Sequence, residues 1–91
     1  MSGAYKKLMN KAIKEMESGW VVLLKRGDKV PEGSYEKYKN LLAAIKAISE
    51  EPEEATMIEK MNELFETQEE FIYDLFETNG FKKLLELYEY A

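Results

Sequence analysis

From Tyr5 through Leu8, Met9, Ala12, Ile13, Met16, Trp20, Leu23 and Leu24, apolar side chains recur at steps of three and four. An α-helix, with about 3.6 residues per turn, gathers such a series onto one side. The spacing keeps its phase through Gly19, so it predicts one amphipathic helix over about 4–25, with Gly27 suited to a left-handed C-terminal cap. The competing reading ends the helix at Ser18-Gly19 and makes "WVVLL" (20–24) a strand. Val21 and Val22 favour it, as does the cost of about 1 kcal/mol for glycine inside a helix. A lone strand has nothing to pair with, and the helix is preferred.

Glycine and proline fall in three clusters, which punctuate the rest. "GDKVPEGS" (27–34) reads as a loop, because Pro31 and Gly33 sit poorly inside helices. Ser34 is expected to cap a second helix over about 35–49, burying Tyr35, Tyr38, Leu41, Leu42, Ile45 and Ile48. "SEEPEE" ends that helix and starts a third: the residue before proline avoids helical angles, while proline suits a helix's first turn. Glu53 and Glu54 then meet the positive end of the helix dipole. The third helix is expected over about 53–78, stopped by Asn79-Gly80, and a short one over about 81–90 closes the chain. Short connections favour antiparallel neighbours. The prediction is an all-α, single-domain fold over 1–91: a small antiparallel bundle of three long helices plus a short C-terminal one.

With 91 residues and no cysteine, the domain must be held by packing alone, without disulfides or thiolate metal sites. No apolar run approaches the roughly 20 residues of a membrane span, and no signal-peptide pattern opens the chain; a cytoplasmic protein is expected. The net charge of −5 conceals a segregation: residues 1–49 balance to +5, residues 50–77 to −10, and residues 78–91 to zero. Such a division serves either pairing within the fold or a partner of opposite charge.

The chemistry of catalysis is thin. There is no histidine, so the usual neutral-pH acid/base, the serine triad and the Glu-x-x-His di-iron motif are absent. No glycine-rich phosphate loop or calcium-loop spacing occurs. "SYEK" (34–37) matches S-x-x-K without the companion motifs of acyl enzymes, and "RGD" (26–28) is explained by a helix end. Carboxylates along an exposed helix diverge into solvent instead of converging as glycosidase acids do. A divalent-cation site among Glu66, Glu69, Glu70 and Asp74 would lack asparagine, glycine or backbone ligands and would be unselective. No enzyme activity, metal or cofactor is expected.

The third helix carries the functional signal. At about 100° per residue, Phe71, Leu64, Met57, Leu75, Met61, Ile72, Phe65, Ile58 and Phe76 gather in an arc of roughly 140°, with Gln68 among them. Glu59, Glu63, Glu66, Glu69, Glu70, Asp74 and Glu77 take the opposite arc. Tyr73 alone refuses to separate: it lies in the acidic arc, with Glu69, Glu70 and Glu77 three or four residues away. Tyrosine is enriched at interface hot spots, so a ring among carboxylates fits a docking site for a basic protein surface. The plainer reading lays Tyr73 over glutamate stems or another helix.

The first helix carries a sparse basic stripe of Lys7, Lys14 and Lys25 with Lys11 beside it. It lacks stacking aromatics and belongs to an acidic chain, which argues against direct nucleic-acid binding. In the last helix, Phe81, Leu84, Leu85 and Tyr88 share the docking face, while Leu87 and Tyr90 fall outside it as candidate exposed apolar groups. The expected function is a non-catalytic, protein-binding or inhibitory module that docks the acidic face over 59–77, centred on Tyr73. Its regularly spaced carboxylates would suit a nucleic-acid mimic of the phage-inhibitor type. The alternative is a homo-oligomer assembled through the lysine stripe and either the acidic face or the C-terminal helix.

Overall fold

The structure, a computed structural model, describes residues 3–25 and 33–90, with backbone alone over 20–25 and 77–79. Five α-helices occupy them: α1 (Ala4–Lys25), α2 (Ser34–Ile48), α3 (Glu54–Thr67), α4 (Glu69–Asn79) and α5 (Lys82–Tyr88). Among the described residues there is no strand. The all-α expectation therefore holds, and residues 20–24 continue α1 as helix. Gly27, Pro31 and the RGD tripeptide lie outside the described residues.

Three local expectations are corrected. Ser34 does not cap α2. The cap is Gly33, whose φ of 87° lies in the left-handed region open to glycine. Its carbonyl accepts from the Lys37 N–H at 3.0 Å, while Ser34 becomes a buried residue of the first turn.

The expected third helix is two. Gln68 leaves helical geometry at φ −117°, ψ 26° and separates α3 from α4. No glycine or proline marks this break. Two tertiary and local features account for it. The Thr67 hydroxyl donates back to the Glu63 carbonyl at 2.8 Å, a bond that bends helices. In addition, the Tyr88 ring of α5 meets both Phe65 of α3, at 5.1 Å between centroids, and Tyr73 of α4, at 5.8 Å.

The third correction concerns α5. Leu87 is only 2% exposed, so it is a core residue and not a free apolar group. Phe81, Leu84 and Leu87, at steps of three, form the buried stripe of this short helix, with Leu85 and Tyr88 at its margins. Tyr90 is 41% exposed, yet its ring sets edge-on to buried Tyr5 at 4.8 Å.

The stop before α5 follows expectation. Gly80 adopts φ 64° and donates its N–H to the Phe76 carbonyl at 3.1 Å, the left-handed termination that Asn79-Gly80 predicted.

α1 is the centre of the fold, touching each of the other four helices and packing most extensively on α5. Its apolar stripe of Tyr5, Met9, Ala12, Ile13 and Met16 is buried. Met57 and Met61 of α3 join it, so unbranched thioether side chains fill much of the interior.

Gly19 explains itself in this setting. A Cβ there would stand 2.4 Å from Cζ of the Phe81 ring and 3.2 Å from the Tyr38 hydroxyl. The helix accepts an unfavourable residue so that α5 can set an aromatic ring against its backbone. Beside it, buried Tyr38 donates to the Met16 carbonyl at 2.5 Å and meets the Phe81 ring edge-on at 6.1 Å.

Glu15, one turn earlier, completes the seam. Its carboxylate accepts the Lys83 N–H at 3.0 and 3.1 Å and the Leu84 N–H at 3.1 Å. These are free donors of the first turn of α5, which has no side-chain cap of its own. A carboxylate from one helix thus does for another what an N-terminal aspartate does for its own.

Candidate protein-docking face

The acidic residues singled out from sequence fall on both sides of the Gln68 break. Glu59, Glu63 and Glu66 are exposed on α3; Glu69, Glu70 and Asp74 are exposed on α4. Glu77 belongs to α4, its side chain lying outside the described set. Tyr73 stands among the α4 acids with 47% of its surface open, outside the core as its place in the acidic arc predicts.

The ring is nevertheless not isolated. It meets Phe76 edge-on at 5.7 Å and Tyr88 at 5.8 Å. Tyr88 in turn stands perpendicular to buried Phe65 and donates its hydroxyl to Glu69 Oε2 at 3.2 Å. Loss of hydration at the Tyr88 hydroxyl, with the hydrogen bond to Glu69 and its negative charge, holds the phenol pKa above its ordinary value. The plainer reading, that Tyr73 leans on another helix, thus describes one side of the ring. The other side remains open.

Tyr88 was legible only as a core-facing residue of the last helix, and Phe76 only as part of the apolar arc. The signal that could have linked them to Tyr73 is the Asn79-Gly80 stop. A tight left-handed turn folds α5 back on α4 and brings together residues fifteen apart in the chain.

Among the described residues, internal ion pairs do not consume the charge segregation. The ion pairs among the described residues are Lys39–Glu36, Lys46–Glu17, Lys60–Glu51 and Lys83–Glu86. None involves Glu59, Glu63, Glu66, Glu69, Glu70 or Asp74. Lys7, Lys11 and Lys14 are exposed on α1 and, among the described residues, equally unpaired. Lys46–Glu17, at 2.8 Å, does join α2 to α1, but it lies outside both charged faces.

An open cleft of roughly 500 Å³ lies between the start of α1 and the α2–α3 turn, beside Lys6, Glu50, Glu51 and Glu54. It does not include Tyr73 or the acidic face. Glu51 there is tied to Lys60. Among the described residues, no three acidic side chains converge as a metal-binding group would require. Nor is any described helix long and apolar enough to cross a membrane.

No protein-family model matches the chain, and neither does any curated protein or solved structure.

Proposed function

We propose that this chain is a non-catalytic, cytoplasmic binding module, an antiparallel helical bundle that docks its acidic face onto a basic surface of another protein. The observation that carries this reading is the unpaired state of that face. Six exposed carboxylates on α3 and α4 have no internal cation among the described residues, and a half-open tyrosine stands among them. Such an arrangement draws a basic partner at long range and offers an aromatic anchor at short range. In its sharper form the acidic face occupies a groove built for a nucleic-acid backbone, as a mimic.

The test is capture of the partner from an extract of the native host, with Tyr73→Ala and with Glu66 and Glu70 both changed to lysine. Both variants are expected to fold and to lose capture. Undiminished capture by both excludes this face. Mimicry adds a steep loss of binding with salt, because charge attraction is screened within about 10 Å at 0.1 M. Salt-insensitive capture leaves docking without mimicry.

A second reading rests on the lysine stripe. Lys7, Lys11 and Lys14 are also exposed and unpaired, so the acidic face of a second copy is a complementary occupant. Burial of Leu87 weakens the other route, assembly through the C-terminal helix. Light scattering at tens of micromolar decides it: a strict monomer ends self-assembly.

A further inference from the structure

Three aromatic rings close a triangle beside Glu69. Tyr73 and Phe76 of α4 are 5.7 Å apart at 63°, Tyr73 and Tyr88 of α5 are 5.8 Å apart at 75°, and Phe76 and Tyr88 are 5.6 Å apart at 58°. Rings this close pack on one another, so a ligand would lie over them and not between them. The platform is held from below, where Phe65, 3% exposed, stands perpendicular to the Tyr88 ring at 5.1 Å. It is held at the rim by the Tyr88 hydroxyl on Glu69 Oε2. Glu69 Oε1 has no protein donor among the described residues. Its side chain is exposed, as is Glu70 beside it. Little ordering cost therefore remains at the platform when a partner arrives.

Aromatic faces attract cations, and one of the chain's own lysines already shows the pairing: Lys37 Nζ lies 6.0 Å from the Phe71 centroid. Among the described residues, no lysine covers the Tyr73–Phe76–Tyr88 triangle. We propose that this triangle, with Glu69 at its rim, is the receptor for an arginine side chain of the basic partner. The inference rests on the docking reading above and deepens it. Guanidinium fits better than ammonium on chemical grounds. It is planar and weakly hydrated, stacks on aromatic faces and donates in a fork to a carboxylate, whereas lysine presents a compact, strongly hydrated point charge.

The experiment titrates the isotope-labelled full chain with acetylated, amidated hexa-arginine and with hexa-lysine at the same ionic strength. The arginine peptide is expected to bind about two- to fivefold more tightly, the effect of one exposed cation–aromatic contact, with shifts at Tyr73, Phe76 and Tyr88. Tyr73→Ala should equalise the two peptides while leaving the helical spectrum unchanged; Glu69→Gln should narrow the preference. Equal affinities for the wild-type chain, or a preference that survives Tyr73→Ala, overturns the arginine receptor. If both peptides still shift Glu59, Glu63 and Glu66, the docking reading stands without it. If neither peptide binds, both readings fall.

Discussion

The seven-residue helix α5 meets α1 and α4 in opposite ways. Toward α1 it presents Phe81, Leu84 and Leu87, all buried, with polar groups paired alongside them. Glu15 takes the leading N–H groups, the Tyr38 hydroxyl reaches the Met16 carbonyl, and Gly19 makes room for the Phe81 ring. Toward α4 it presents Tyr88, which joins Tyr73 and Phe76 in a cluster whose Tyr73 edge is half open and whose rim carboxylates have no cation partner among the described residues. A surface that serves only the fold matches its polar groups and fills its volume. The α4 corner is cross-braced by ring contacts yet half open, the feature on which the docking proposal rests.

Changes at the seam should therefore unfold the chain, while changes at the corner should spare the fold and alter binding. The largest effect is expected from alkali. Burial, with the nearby Tyr90 and Glu54 groups, pushes the Tyr5 phenol up to about 12, and burial with the Glu15 charge pushes Tyr38 up as well. The unfolded chain loses these protons near pH 10 while the native chain keeps them, so the native state binds more protons above that pH. The stability from both groups is fully present below about pH 10 and is lost progressively above it, that from Tyr5 as pH rises through about 12. Circular dichroism with denaturant between pH 9 and 12 should show the midpoint falling only above pH 10; a flat midpoint would refute it.

Phe81→Ala comes next, with an expected cost of about 3–5 kcal/mol in urea unfolding, as for other buried phenylalanines. Gly19→Ala sharpens the point. In an exposed helix it would gain about 1 kcal/mol, but here the methyl meets the Phe81 ring, and a net loss of about 1–2 kcal/mol is expected. A stabilised variant would mean that α5 does not press on α1 at this glycine. Glu15→Ala should cost about 1–2 kcal/mol, the range for loss of a helix cap, although residue 15 is in the middle of another helix. Tyr73→Ala should cost less than about 1 kcal/mol, because the ring is half open and makes only edge contacts. Its effect should appear in partner capture instead. Large destabilisation by this variant would make the corner part of the seam.

Much of this was legible in the chain. Helical periodicity survives a glycine, because the phase of nine apolar residues outweighs one local penalty, and α1 runs through Gly19 as that phase predicts. The left-handed stop at Gly80 and the outward placement of Tyr73 were legible for the same reason: both are properties of a single helix and its end. The Gln68 break was not, since no breaker residue stands there. It lies where Thr67 bonds back to Glu63 and where a ring from a different helix meets both Phe65 and Tyr73.

Periodicity, punctuation and charge order belong to the sequence because they depend on neighbours within one or two turns. They set the all-α class, the start and end of α1, and the separation of an apolar arc from an acidic one. The tertiary structure decided what those turns met. It made Gly19 a site of close approach, Glu15 the cap of a distant helix and Leu87 a core residue. It also set Tyr73 at the open edge of a three-ring cluster. Each depends on where α5 lies against α1 and α4, and a position across the fold leaves no spacing for one helix's periodicity to record.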